Sequence, residues 1–347
     1  MKLGLTAVFW LMASTQIGQF AEQGDVGTVL HAGSASFDAG TGTYTINGSG
    51  ENMWATADAF HFVWKKMSGD VSLTADVTFP TTTGNPHKKA VLMIRQSLDA
   101  DSAYVDAALH ASGLTSLQSR AEKGGATHEV GIEDEAAKRL RLVKRGSYFY
   151  MYVALAGEEL HLAGGSMRLE LKEPFYIGIG VCSHDKDVME TATFSNVTIG
   201  VPTEGKPTLY STLETISVSS TDRRVVAVFK GRVEAPSWKD ATSLIFKKGK
   251  EMEQIPATGG KMEAVPVGTA PKLKGDERPS PDGERLAELS YWGDKPKETT
   301  LSVKAKSDGK TKVLATVLGA KGTLGREPWS PDGKRLVYVS YQMVPEE

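Results

Sequence analysis

Six side chains in the first half of the sequence fall at alternating positions of three short apolar segments. Arg95 ends Ala90-Val-Leu-Met-Ile-Arg and shares parity with Val91 and Met93. In Tyr104-Val-Asp-Ala-Ala-Leu-His110, Tyr104, Asp106 and His110 have one parity, and Val105, Ala107 and Leu109 the other. Gln118 and Arg120 alternate in the same way with Leu117 and Ser119. Successive side chains of an extended strand point to opposite faces, so residues of one parity line one face. A face bearing Tyr, Asp, His, Gln and Arg offers a ring to stack on and convergent donors and acceptors, the equipment of a sugar-binding concavity. Trp54 flanks that groove as a further aromatic wall, whereas Trp64, inside an aromatic run, reads as core. The same residues admit a second reading, an Arg95–Asp106 ion pair on a solvated sheet face.

Other chemistry-bearing residues carry less. Glu133-Asp134-Glu135 pairs carboxylates, but without the alternating spacing that puts two catalytic acids on one face of a strand, and it reads as an acidic turn. His87, His128 and His161 stand apart from any Ser or Cys nucleophile, and no Gly-rich phosphate loop follows a strand. Neither a catalytic residue nor a cofactor is therefore assigned. His184-Asp185-Lys-Asp187 supplies fewer ligands than calcium prefers, so no metal is assigned either. The basic run Lys138-Arg139-Leu-Arg141 with Lys144 and Arg145 alternates along a strand as a solvated face does.

The elements that must position these residues are short strands. From Thr43 to Val201 apolar positions recur with a period of two, as in Val71-Ser-Leu-Thr-Ala-Asp-Val77 and Leu140-Arg-Leu142, with turn signals such as Ser68-Gly69-Asp70 between them. Two stacked antiparallel sheets account for that pattern. The 347 residues suffice for two domains. With 40 Lys plus Arg against 42 Asp plus Glu, the chain has no cationic excess for a nucleic acid backbone. The single Cys182 allows no intrachain disulfide. Met1-Lys2 followed by the apolar run Leu3–Ala13 has the length of a signal-peptide core and is too short for a membrane span. The expectation is a periplasmic or secreted protein, with residues 1–21 removed after Phe20-Ala21.

Around 201–208 two prolines and little to bury mark a linker. Beyond it the chain repeats itself: Ser280-Pro-Asp-Gly-Glu-Arg-Leu-Ala-Glu-Leu289 recurs fifty positions on as Ser330-Pro-Asp-Gly-Lys-Arg-Leu-Val-Tyr-Val339, and Pro236-Ser-Trp238 opens a degraded copy. Each copy is a tight turn, with Pro setting φ and Gly accepting φ > 0, followed by an alternating strand. Repeats of roughly 40 to 50 residues with this content indicate propeller blades.

Residues 209–347 resemble the TolB-type propeller family, whose blades carry Trp-Ser-Pro-Asp-Gly-Lys before a hydrophobic strand; Trp329 to Val339 fits closely. Residues 22–200 look like the concanavalin-like sandwiches found beside such propellers, on Gly48-Ser-Gly-Glu-Asn-Met-Trp54, Phe60-His-Phe-Val-Trp64, Leu92-Met-Ile-Arg95 and Phe175-Tyr-Ile-Gly-Ile-Gly180. The resemblance implies an all-β chain, a concanavalin-like jelly-roll sandwich followed by a partial β-propeller. The function expected is non-catalytic recognition of a glycan or cell-surface polymer by the sandwich, with the repeats as an interaction module. The alternatives are a structural protein that multimerises through open blade edges and a sandwich-type glycosidase or lyase. About three repeats fall short of the four to eight blades that close a ring. The final strand, Arg335–Tyr341, is therefore expected to present a bare apolar edge, completed by self-association or by further chain.

Overall fold

The computed structural model describes residues 16–265 and 277–345, and among them every regular element is a β-strand. The signal-peptide core Leu3–Ala13 lies outside the described residues. Two large sheets face each other. One runs Glu22–Val26, Phe60–Met67, Phe175–Cys182, Lys89–Arg95, Tyr104–His110, Thr115–Arg120 and Thr127–Gly131, in that spatial order. The other runs His161–Leu162, Tyr148–Ala154, Arg139–Arg145, Val71–Thr78, Asp185–Gly200, Thr43–Gly50 and Ser34–Asp38.

Alternation explains why the sheets stack. Leu92, Ile94, Val105, Ala107 and Leu117 project from the first sheet, and Leu73, Ala75, Leu140, Leu142 and Val153 from the second, into one buried core. Residues of the opposite parity in the first sheet therefore face away from that core. On this outer face Gly178 and Gly180 let Phe62 and Phe60 lie close to the sheet. A Cβ at Gly180 would stand 2.8 Å from the Phe60 ring and one at Gly178 2.8 Å from the Phe62 ring.

The chain ahead of Glu22 belongs to the same packing, which places the expected cleavage point after Ala21 inside the fold. Phe20 has no exposed surface and meets Tyr44 edge-on at 5.3 Å, and the Ala21 amide donates to the Trp64 carbonyl at 2.9 Å.

The repeats form two small sheets and extend the first large sheet by three strands. Val233–Trp238, Ser243–Lys248, Glu251–Pro256 and Glu263–Val265 make one, and Arg285–Leu289, Lys297–Ala305 and Thr311–Gly319 another. Arg223–Lys230, Pro207–Ser217 and the last strand, Arg335–Pro345, continue the first large sheet in that order beyond Thr127–Gly131. Val337, Val339 and Tyr341 face the first of the two small sheets, and Leu336 and Tyr338 the second, so this extension is packed on both sides.

The turn chemistry of the repeats is as the sequence suggests. Gly283 and Gly333 adopt φ of +75° and +68°, and their amides donate to Ser280 and Ser330 carbonyls at 2.8 Å each. Ser330 Oγ donates to Asp332 Oδ1 at 2.6 Å and accepts from the Arg335 amide at 2.9 Å, which locks the turn onto the strand. The two copies also touch, with the Arg285 guanidinium 4.9 Å from the Trp329 ring centroid.

Two expectations change here. The stretch at 201–208 does not separate two sheet systems: Pro207–Ser217 begins within it, and Arg223 and Arg224 pair in parallel with Val130 and Gly131 of the sandwich. The last strand is not bare. Along one side it pairs with Pro207–Ser217 over its whole length. On the other the Val337 amide donates to Pro328 and the Val339 amide to Thr323, both at 2.8 Å. Leu336 through Val339 have no exposed surface, so the stated motive for edge-to-edge association is absent from this strand. The pairing brings the first strands of the repeat region against its last, a long-range contact that local pattern does not encode.

Candidate functional site

The outer face of the first sheet is a grid of side chains from four strands. Met93, Asp106, Gln118 and Glu129 form one cross-strand row, and Arg95, Tyr104, Arg120 and Thr127 the next. Arg95, Tyr104, Asp106, His110, Gln118 and Arg120 thus share one face, as strand parity implies. Tyr104 lies on the outer side, with Met53, Phe60, Val91 and Ala108, and not between the sheets.

That face is closed and not an open groove. Arg95, Tyr104, Asp106 and Arg120 have no exposed surface, and His110 and Gln118 keep 4% and 1%. The cover is the short hairpin Met53–Trp54 and Ala57–Asp58, and charge holds it down. Arg120 takes Asp58 with two bonds, Nη2 to Oδ1 at 2.7 Å and Nη1 to Oδ2 at 3.0 Å, and donates to the carbonyls of Trp54 at 3.2 Å and Ala55 at 3.3 Å. Arg95 reaches the same Asp58 at 3.3 Å and the Ser97 and Asp99 carbonyls at 2.7 Å each. The partner of Arg95 is therefore Asp58, in place of the Asp106 pair considered from sequence. Burial raises the Asp58 carboxyl above its ordinary value and outweighs the two guanidiniums, which pull it down. The Arg120 guanidinium also lies 5.0 Å from the Tyr104 ring centroid.

A second polar group stands beside this staple. Lys89 Nζ donates to the Met53 carbonyl at 3.0 Å and to Gln118 Oε1 at 3.1 Å, and lies 5.2 Å from the centroid of the half-buried Trp54 ring. Gln118 in turn donates to Glu129 Oε2 at 3.0 Å. Asp106 sits between Met93 and Gln118 in the grid, and neither of its carboxylate oxygens has a hydrogen-bond partner. Burial pushes its pKa up to about 8, against the pull of Lys89. Burial likewise lowers Lys89, and lowers His110 to about 3, so His110 is neutral and donates through Nδ1 to the Leu114 carbonyl, 3.0 Å away. At neutral pH Asp106 is therefore held as the protonated carboxyl, and leaving its oxygens unpartnered in a dry site is costly.

Lys89, Asp58 and Glu129 belong to this arrangement but were not among the sequence candidates. Lys89 has the parity of Arg95 six residues later, a signal that was available. Asp58 lies in a short covering hairpin with no periodicity, and no sequence signal points to it.

The remaining candidates go elsewhere. Asp134 meets His161 at 3.2 Å on the surface. In the turn after Cys182, the Asp187 amide donates to Asp185 Oδ1 at 2.9 Å and Lys186 pairs with Asp187 at 3.0 Å. Among the described residues, no group of three or more His, Cys, Asp and Glu side chains is arranged to hold a metal ion, and no helix is long and apolar enough to cross a membrane.

No family profile matches the sequence, and neither does any curated protein. Solved structures give partial likenesses. A functionally unknown protein from Saccharomyces cerevisiae aligns at a TM-score of 0.39 and 15% identity, over 49% of this chain and 93% of that one. A carbohydrate-binding module from Bacillus subtilis aligns at 0.35 and 17%, over 53% of this chain and 96% of that one. A TolB structure from Agrobacterium tumefaciens aligns at 0.19 and 15%, over 80% of this chain and 100% of that one. At TM-scores this low none of them bears on function.

Proposed function

We propose that the protein is an exported, non-catalytic binding protein that recognises a glycan or cell-surface polymer at the covered face of the sandwich, the repeat region serving as an interaction module. The observation that carries this reading is the half-buried Trp54 ring, linked through Lys89 and Gln118 to the half-buried Glu129 carboxylate. Trp54 supplies an aromatic surface at the edge of the row that holds Gln118 and Glu129, with Lys89 beneath it. A sugar ring would pack on Trp54, and its hydroxyls would donate to Glu129, with Asp106 lying beneath the cover. Arg95, Arg120 and Asp58 position Trp54 through its backbone and do not themselves touch ligand.

A glycan array probed with the full chain tests the proposal. Binding to at least one polysaccharide class is expected, weakened about tenfold or more by Trp54→Ala, with no reducing sugar released from the bound polymer. Binding that Trp54→Ala leaves intact would move the site off this face, and steady sugar release would make the protein an enzyme. Secretion is read from fractionation of the producing cell, where cytoplasmic retention counts against export.

A further inference from the structure

A cleft lies in the repeat region, away from the sandwich face. It has a volume of about 970 Å³ between the sheet that begins at Val233 and the sheet that begins at Arg285. That is the upper end of the range for small-molecule sites. Four cationic side chains line it, Arg232, Lys247, Arg278 and Lys321, against two carboxylates, Glu234 and Asp294.

The charges are not equally available. Glu234 is held from both sides, by Lys247 at 3.1 Å and Arg232 at 3.4 Å. Arg232 is further tied to the backbone, donating to the Asp294 carbonyl at 3.0 Å and the Lys321 carbonyl at 2.6 Å. Those three groups are the frame of the cleft. Lys321 is different: its side chain is exposed, and its amide donates to the Gly293 carbonyl at 2.7 Å, which places it beside Trp292. Trp292 keeps 41% of its surface exposed, an unusual state for so large a ring, and the Arg278 guanidinium lies 4.3 Å from its centroid. The Asp294 side chain is exposed at the same rim.

The wall therefore combines an exposed indole, two cations beside it and a carboxylate. Each element selects something. An indole face takes the C–H face of a pyranose ring, and the cations take a carboxylate. A rim carboxylate accepts from hydroxyls and repels a doubly charged phosphate. We propose that this cleft is a second ligand site, for an acidic sugar of the uronic acid class, with the ring on Trp292, held by Arg278, its carboxylate on Lys321, and its hydroxyls on Asp294. The site is independent of the sandwich reading and shares no residue with it.

Isothermal titration of the full chain with trigalacturonate, cellotriose and a hexaglutamate peptide tests the assignment, in ~50 mM and ~300 mM salt. Trigalacturonate should bind, several-fold more weakly at the higher salt, while cellotriose binds about tenfold more weakly or not at all. Trp292→Phe and Lys321→Gln should each reduce trigalacturonate affinity about five- to tenfold. Both residues are exposed, so unchanged melting of the variants shows that the loss is local. Trp54→Ala should leave trigalacturonate binding intact, which separates this site from the one on the sandwich. The proposal is overturned if trigalacturonate does not bind, if it binds the Trp292→Phe, Lys321→Gln double variant as well as the parent, or if Trp54→Ala abolishes it. Equal or tighter binding of hexaglutamate, insensitive to Trp292→Phe, would assign the cleft to acidic peptides and overturn the sugar.

Discussion

Arg120 and Asp58 meet as a two-pronged ion pair, 2.7 and 3.0 Å, with neither side chain exposed to solvent. The pair fastens a short hairpin over the outer face of a sandwich sheet, and the Trp54 and Ala55 carbonyls take further bonds from the same guanidinium. Removing one partner of such a pair leaves the other charge buried and uncompensated, a loss of about 3–5 kcal/mol. Asp58→Ala strands both Arg95 and Arg120 and is expected at the upper end of that range. Urea unfolding measures it. A loss below about 1 kcal/mol would mean that the hairpin is held mainly by the apolar packing of Met53.

Asp106 makes stability fall with rising pH. Its carboxyl is raised by burial from 3.8 to about 8, so between those values the folded protein keeps a proton that the unfolded chain has released. Folding is then disfavoured as pH rises, by up to about 1.4 kcal/mol per unit, and the effect levels off above the folded value. His110, lowered from 6.5 to about 3, acts in the opposite sense but only below its ordinary value. Between pH 6.5 and 8 His161, raised by its bond to Asp134, acts in the same sense as the carboxyl, so the carboxyl is read from the difference between parent and variant. Asp106→Asn should flatten the urea-derived stability across that interval relative to the parent; an unchanged slope would show that another group carries it.

The outer face was legible in the sequence because alternation is a local property: once Tyr104–His110 is extended, Asp106 and His110 must accompany Tyr104. Parity says which side a residue takes but not what covers that side. The cover is Met53–Asp58, more than thirty residues ahead of Arg95 and without any period, so the groove inferred from parity is in fact roofed. The repeat turns were legible for the same local reason, since Ser-Pro-Asp-Gly fixes its own hydrogen bonds. Where the strand after the last turn would pair was not. Arg335–Pro345 finds Pro207–Ser217 across the whole repeat region, and that choice depends on which sheets pack against its two faces.

Phe20 tests where the folded chain starts. It is fully buried against Tyr44, and the Gln19 backbone amide donates to the Tyr44 hydroxyl at 2.7 Å. Deleting a buried phenyl ring costs about 3–5 kcal/mol. Chains beginning at Gln16 and at Glu22 should therefore differ by about that amount in urea, with Phe20→Ala reproducing most of the difference. Equal stability of the two truncations would show that residues 16–21 lie on the fold without supporting it.

The junction between sandwich and repeats rests on one buried group. Glu214 has no exposed surface and collects Arg223 Nη2 at 2.6 Å, the Tyr338 hydroxyl at 2.9 Å and Ser340 Oγ at 2.5 Å. Arg223 continues the chain to the sandwich, donating to the Ser166 carbonyl at 2.6 Å. Burial works against the charge on Arg223, but Glu214 and Tyr338 hold its pKa above the ordinary value, so the guanidinium keeps its charge. Glu214→Ala leaves that guanidinium buried without its carboxylate, a cost of about 3–5 kcal/mol. Because Tyr338 and Ser340 lie on the last strand, the loss should fall on its pairing. In hydrogen exchange, the Val337 and Val339 amides of the parent should be as slow as the Leu92 amide of the sandwich core, since both are bonded on a covered strand. Glu214→Ala should speed those two amides while Leu92 stays slow. Parallel acceleration of all three would mean that sandwich and repeats unfold as a single unit, and that Glu214 stabilises the whole chain equally.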